Sequence, residues 1–220
     1  MSKIIVDTIE STGTTVTVND GLASGAINAG TNAITAGSVT GLTATSITSG
    51  TLPNAQLADG HILQVVTGEL TTIQSSTAAG WNDIPSLTCS ITPADTSNKI
   101  LITIAVGGLS QYNGNTPALR VLRGTTVCTV NDHSGYGNLA RGVTISPGYS
   151  NGTENAAAAS ACFLDSPSTT SATTYKVQWY GRPSGSFTNT INAFYAWDNH
   201  DYYAASISSL VVMELKAWEY

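Results

Sequence analysis

The sequence predicts a mainly β protein with two parts, an extended oligomeric β stem followed by an antiparallel β-sandwich head of the jelly-roll type. Serine and threonine supply about a quarter of the 220 residues and only 10% are charged, a composition that favours strands over helices. Every Phe, Tyr and Trp lies at or after Trp81, so only the C-terminal part has the aromatic side chains of a conventional core. We therefore divide the chain into residues 1–20, 21–60 and 61–220.

Residues 1–20 contain two strand-like runs. The turn between them consists of Ser11, Thr12 and Gly13, and the second run alternates threonine with valine. Two short strands of this kind suit a small anchoring segment at one end of a fibre.

The stem is predicted because residues 21–58 contain no Asp, Glu, Lys or Arg but keep isolated aliphatic residues among Gly, Ala, Ser, Thr and Asn. Their irregular spacing does not sustain a helical stripe, and one apolar residue per turn cannot form a core within one chain. Several identical chains around a common axis would bring these residues together in layers. The interface positions assigned on this basis are Ile27, Ile34, Val39, Leu42, Ile47 and Leu52. The alternative is a disordered linker, in which recurring aliphatic residues have no purpose.

The head is predicted from many short strand-like runs separated by Asn-Gly, Pro-Ser and Gly signals, which is the pattern of a β-sandwich. The expected strands are residues 62–66, 70–73, 99–106, 118–123, 126–130, 159–164, 175–180, 190–195 and 209–216. Arg120 and Arg123 should place positive charge on an exposed face. Residues 123–126 should form a hairpin return.

Composition also excludes several classes of function. The net charge is −6 and Lys and Arg form no cluster, which argues against nucleic acid as a partner. We expect synthesis in the cytosol, because the sequence shows no membrane-spanning window and no signal-peptide layout at its start. Cys89, Cys128 and Cys162 lack metal-ligand spacing and are expected to be free thiols. No phosphate-binding or dinucleotide motif is present, so neither a cofactor nor a metal is expected.

Four phrases, taken in order, resemble tail-fibre and related appendage proteins of tailed bacteriophages, especially aquatic ones. They are MSKIIVDTI at residues 1–9, ITSGTLPNAQL at 47–57, ITP with SNKILI within 91–102, and ISSLVVMEL at 207–215. The resemblance implies a homotrimer on the phage particle, with its N-terminal part fixed to other virion proteins and its C-terminal β head facing the host. It brings no catalytic residue with it, so we expect binding and not enzymatic activity.

Binding of a bacterial surface glycan or an outer-membrane receptor needs flat aromatic faces beside short polar side chains. One candidate loop supplies both within seven residues: Trp197, Asp198, His200, Asp201, Tyr202 and Tyr203. Gly- and Asn-rich loops around Tyr112, Tyr136 and Tyr149 form a second candidate surface. The structural alternatives are core or interface aromatic residues in the first case and ordinary variable loops in the second.

Other roles fit the same sequence features. A capsid head fibre or decoration protein, or a tail adaptor for other fibres, would have the same build. A polysaccharide-degrading tailspike needs two carboxylates placed across the scissile bond. The sequence spacing does not indicate which two of the loop acids would form such a pair; these acids are Asp132, Glu154, Asp165, Asp198 and Asp201. Asp198, His200 and Asp201 could ligate a divalent cation. Two close carboxylates and one His also occur together by chance, so no metal is named.

The stem assignment predicts that Ile34→Asp disrupts the oligomer, because identical carboxylates would meet on the axis without partners. Light scattering should then give a mass below three times the 22.7 kDa of the chain. Asn32→Asp adds the same charge at a position not assigned to the axis and should leave the oligomer intact. An unchanged mass in the Ile34 variant would contradict the axial placement.

Overall fold

A computed structural model describes residues 57–112, 117–128, 142–145, 155–181, 188–193 and 205–217. The predicted anchor and the six stem positions, Ile27, Ile34, Val39, Leu42, Ile47 and Leu52, lie outside these residues. By its contacts the chain divides into Met1–Thr51 and Leu52–Tyr220, and all described residues belong to the second unit. They form antiparallel sheets and contain no helix, which confirms the prediction of a mainly β fold.

The described residues form eleven strands in two sheets. In chain order the strands are β1 (Ile62–Leu70), β2 (Gln74–Ser76), β3 (Gly80–Ile91), β4 (Lys99–Tyr112), β5 (Ala118–Arg123), β6 (Thr126–Val127), β7 (Thr144–Ile145), β8 (Asn155–Asp165), β9 (Thr173–Gly181), β10 (Thr188–Ile191) and β11 (Ser208–Leu215). Sheet A has the order β1-β11-β4-β10-β2, with β8 on the other edge of β4. Sheet B has the order β3-β9-β5-β6, with β7 also paired to β5.

Alternating residues of the two sheets meet in one core. Sheet A contributes, among others, Ile100, Ile102 and Ile104 of β4, all fully buried, and sheet B contributes Val121 and Val177. The residues between them in sequence face away from this core, as the two-residue period of a strand requires. Each sheet therefore has one inner face and one outer face.

Most predicted strands are present. Strand β5 coincides with residues 118–123, and the hairpin return is confirmed by the pairing of Arg123 with Thr126 around Gly124, whose φ is 58°. Several boundaries were wrong. Strands β1, β4 and β8 extend beyond the predicted ranges 62–66, 99–106 and 159–164, and β6 ends at Val127. The strand expected at 70–73 ends at Leu70, and the strand expected at 190–195 ends at Ile191 because Asn192 takes a φ of 68°. The region beyond Cys128 in the predicted strand 126–130 lies outside the described residues.

Strand β3 was missed because its alternation is interrupted. Ile84 and Leu87 both face the core although three positions separate them, and the register with β9 shifts between Asp83 and Thr88. Between these pairs β3 advances five positions while β9 advances two, so the bulge holds three extra residues, and Ser86 within it has a φ of 64°. Gly68 of β1 lies directly over it, and a Cβ there would come 2.5 Å from the backbone oxygen of Thr88. Only glycine permits this approach of the two sheets.

A buried carboxylate closes the end of sheet A where β1 begins. Glu214 of β11 has no exposed surface. Its Oε1 accepts hydrogen bonds from the backbone N–H of Ala94 at 2.7 Å and from Nδ2 of Asn98 at 2.6 Å, and its Oε2 accepts one from Nε2 of Gln64 at 2.5 Å. The Asn98 side chain also accepts the N–H of Ala217. These bonds fix the turn before β4 against β1 and β11.

Glu214→Gln should lower the free energy of unfolding by about 2–4 kcal/mol, because the amide group points N–H donors at groups that are themselves donors and leaves them unsatisfied. Urea unfolding of the full chain measures this change. Glu69→Gln, at an exposed position of the neighbouring strand, is the matched control and should change the value by less than about 0.5 kcal/mol. Equal effects of the two variants would show that the buried carboxylate is not needed.

Candidate functional site

The outer face of sheet B carries a connected group of aromatic and charged side chains. Strand register places Trp81 of β3 opposite Tyr180 of β9, and Asp83 opposite Gln178. Gln178 also lies opposite Arg120 of β5. Cross-strand partners project from the same side of a sheet, so these side chains form one surface. We call this surface, with Lys176 of β9, the B platform.

The aromatic half of the B platform is held by a cation. The guanidinium carbon of Arg120 lies 4.3 Å from the centroid of the Trp81 ring, well within the range of a cation–π contact. The Tyr180 ring is tilted by 59° to that of Trp81, with the centroids 5.3 Å apart. All three side chains are partly exposed. Two aromatic rings are thus fixed in orientation at a surface that solutes can reach.

The polar half is a relay of hydrogen bonds. Nε of Arg120 donates to Oε1 of Gln178 at 2.8 Å, and Nε2 of Gln178 donates to Asp83 at 2.6 Å. Lys176 donates to the other carboxylate oxygen of Asp83 at 2.8 Å. The hydrogen bonds from Lys176 and Gln178 hold the pKa of Asp83 below its usual value. Partial burial lowers the pKa of Arg120, an effect that Asp83 opposes, and the guanidinium stays charged at neutral pH.

This arrangement has the chemistry of a recognition surface. The rings offer apolar faces, while Lys176 and Asp83, whose side chains are 30% and 54% exposed, offer charged hydrogen-bonding groups beside them. Gln178 is only 9% exposed, so it orients its neighbours more than it contacts a ligand. Rigid aromatic rings flanked by fixed polar groups bind sugar rings and similar polyhydroxylated ligands at low entropic cost.

The first candidate loop has a firmly built base. Asn192 is fully buried, and its Nδ2 donates to the carbonyl oxygens of Leu70 and Thr72 at 2.7 and 3.0 Å. Its Oδ1 accepts from the Ser208 hydroxyl at 2.6 Å. One residue further on, Ala193 bridges to Ala205. This base fixes both ends of the connection formed by residues 194–204.

The candidate residues of that loop, Trp197, Asp198, His200, Asp201, Tyr202 and Tyr203, lie outside the described residues. The same is true of Tyr136 and Tyr149 in the second candidate surface. Tyr112 is the last residue of β4, and its backbone pairs with Thr188.

The two arginines predicted to face solvent have different environments. Arg120 belongs to the outer B platform, whereas Arg123 is paired with Asp165 of sheet A at 2.6 Å. Asp165 also accepts a hydrogen bond at 2.7 Å from the hydroxyl of Tyr175, which is fully buried. Burial and this bond raise the pKa of Tyr175. Asp165 therefore joins the two sheets, and this structural task occupies a carboxylate considered for hydrolysis.

Sequence reasoning missed the B platform because β3 was not predicted as a strand. A usable signal was present, since Trp81 and Asp83 alternate on one side of β3 just as Lys176, Gln178 and Tyr180 alternate along β9. Which members touch follows only from the register. That register depends on the bulge around Ser86.

No group of three His, Cys, Asp or Glu suited to a metal ion occurs among the described residues. Within the same ranges, no helix is long and apolar enough to cross a membrane. No family model and no curated protein matches the chain.

Arg120→Ala should lower the free energy of unfolding by about 1–2 kcal/mol, since it removes the contact with Trp81 and the hydrogen bond to Gln178. Lys176→Ala removes a cation of the same platform that does not touch the ring. Its effect should stay below about 1 kcal/mol, as is usual for exposed ion pairs. Chemical unfolding of both variants tests the assignment, and equal losses would mean that Arg120 does not support Trp81.

Proposed function

We propose that this chain is a virion structural protein of a tailed bacteriophage, a short trimeric tail fibre whose C-terminal head binds the host cell surface. Three features support the proposal. They are the charge-free segment 21–58 with its recurring aliphatic residues, the order of the four appendage-like phrases, and a β head with a preformed recognition surface. The N-terminal residues would attach to other virion proteins, and the receptor would be a surface glycan or an outer-membrane group.

We also propose that the head is a jelly roll. If β1 with β2, β6 with β7 and β10 with β11 are each counted as one interrupted strand, eight strands remain. Sheet A then has the order first, eighth, third and sixth, and sheet B has the order second, seventh, fourth and fifth. This is the strand order of a jelly roll, an architecture shared by viral capsid and lectin domains. Such a fold fits a virion protein, but function has to come from the site.

The B platform is the structural feature that best supports the proposed binding function. Trp81 and Tyr180 present oriented rings, and Arg120 and Lys176 outnumber Asp83 on a chain whose net charge is −6. The platform is thus a locally cationic, aromatic surface on an acidic protein. Sugars that carry carboxylate or phosphate groups, as bacterial surface polysaccharides often do, match both properties: the ring stacks on an aromatic face while the anion meets a cation.

The platform also bears on the alternatives. A head fibre or adaptor that only contacts other virion proteins has no need of a half-exposed aromatic and cationic surface on the head. A hydrolytic tailspike needs a carboxylate pair, and the described acid Asp165 is committed to Arg123 and Tyr175. Binding of the labelled full-length protein to susceptible cells tests for an adhesin, and release of reducing ends from their polysaccharide tests for an enzyme.

Tyr180→Ala should reduce binding to host cells and to their purified surface polysaccharide by about tenfold or more, the effect of losing roughly 1.4 kcal/mol. Thr125→Ala, on an exposed turn of the same sheet, should bind like the original chain. Trp197→Ala tests the loop candidate in the same assay. If only the Trp197 variant loses binding while keeping the oligomer, the receptor site is the loop and not the B platform.

A further inference from the structure

The outer face of sheet A carries an apolar row that crosses four strands. Val65 on β1 pairs with Met213 on β11, which in turn pairs with Leu101 on β4. Leu101 pairs with Leu164 on β8. The core lies on the other side of the sheet, so all four side chains face outward. Val65 and Leu164, at the two ends of the row, are 50% and 49% exposed.

The surroundings of the row are also uncharged. The next row consists of Thr67, Val211, Thr103 and Cys162. On the described strands of this face, charges appear only at opposite ends, with Lys99 at one and Glu69 at the other. We call the two rows with the neighbouring outward residues of these four strands the A face. A sandwich usually alternates apolar inside with polar outside, as the B platform does, so the A face departs from the rule.

Strand β8 adds an edge to the A face that has no further strand partner among the described residues. Within the described ranges β8 pairs only with β4. Its sequence, NAAAASACFLD, holds no charged residue before Asp165 and no proline. Proteins usually protect long edge strands with charges, proline or a covering segment, since an open edge invites pairing with another chain. In the described part of the head, an apolar face and an edge strand without charge or proline before Asp165 therefore adjoin each other.

We propose that the A face is the surface through which the heads of neighbouring copies of this chain contact one another. In a trimer the three A faces would turn toward the common axis, and the B platforms would point outward. The inference rests on the proposed oligomer and adds the head surface that takes part in it. Identical copies suit the A face because its rows between Lys99 and Glu69 carry no charge, so no unpaired charge is buried where these rows meet.

The size of the A face favours tethered copies over free partners. Four strands about 4.8 Å apart and rows about 7 Å apart give a face of roughly 300–400 Å², about half of the roughly 800 Å² per partner of a stable interface. Such a contact is too small to join free heads. It suffices when another part of the chain already holds the copies together and raises their effective concentration.

The point where the remaining chain enters the head supplies such a tether. Residues 1–56 precede the described part, and the chain enters beside the end of β11, where the Leu57 carbonyl accepts a hydrogen bond from Lys216. Gly60 and His61 also exchange backbone bonds with Lys216. Ile62 follows His61, and Leu215 precedes Lys216. These two residues pair between β1 and β11, and this pair is the first of the A face at the entry point. This end of the A face is therefore the part of the head that follows residues 21–56 in sequence, through which the copies are proposed to be joined. A single extended segment of the same chain would cover only part of the four-strand width.

Cys162 provides a natural probe, since it is exposed on the A face. The other two cysteines of the chain are half-buried, and burial raises the pKa of Cys89 to about 11 and that of Cys128 to about 12. Their thiolates are scarce near pH 7.5, so a maleimide should react first at Cys162. A short bismaleimide added to the full-length protein should link Cys162 of one copy to Cys162 of the next.

The expected result is a covalent dimer of the chain that Cys162→Ser abolishes. Leu164→Lys should reduce the cross-linked fraction and speed Cys162 labelling, by about tenfold if most heads are associated. Thr125→Lys adds the same charge on an exposed turn of sheet B and should leave both unchanged.

Three results would overturn the inference. An oligomeric mass together with Cys162 labelling as fast as in urea and no cross-link would leave the A face free, while the proposed trimer stands. Slow labelling without a cross-link would mean that the same chain covers the face. A monomeric mass would refute the proposed oligomer and the inference together.

Discussion

The buried carboxylate of Glu214 is the interaction on which one end of the head depends. A carboxylate with no exposed surface costs several kcal/mol unless its oxygens are satisfied, and its three donors come from two segments, Gln64 from β1 and Ala94 and Asn98 from the turn before β4. The bonds must therefore form together. Once they do, the start of β1, the turn before β4 and the end of β11 are fixed relative to one another, and β4 enters the core in a single register.

This network links two stretches of the sequence that lie far apart along the chain. The phrase ITP with SNKILI contains Asn98 and runs into β4, and ISSLVVMEL forms β11 and contains Glu214. The alternating Leu210 and Val212 fill the core next to the strand that the turn introduces. Each phrase supplies half of one polar contact and half of one packed layer. Without either stretch, the polar contact and the packed layer would each lose one of their two sides.

Local pattern predicted those strands whose alternation is unbroken. In β9 and β11 buried residues recur at every second position, and the predicted bounds of β5, β9 and β11 lie within two residues of the structure. The pattern did not predict β3, because Pro85 and Ser86 interrupt the two-residue period. It placed the end of β10 wrongly, because Asn192 takes a left-handed φ. That conformation is stabilised by contacts with Leu70 and Ser208, which are distant in sequence. The B platform likewise depends on register across three strands, which no single-strand pattern contains.

The two outer faces of the sandwich separate two kinds of chemistry. Sheet A shows Leu101, Met213 and their neighbours, while sheet B shows Arg120, Trp81 and Lys176. Because the sheets lie back to back, a head that associates through sheet A necessarily turns sheet B outward. Three copies would then present three identical platforms to one cell surface. Multivalent attachment can exceed the affinity of a single site by about 10²–10⁴, so a weak sugar contact on each head would suffice for firm adsorption.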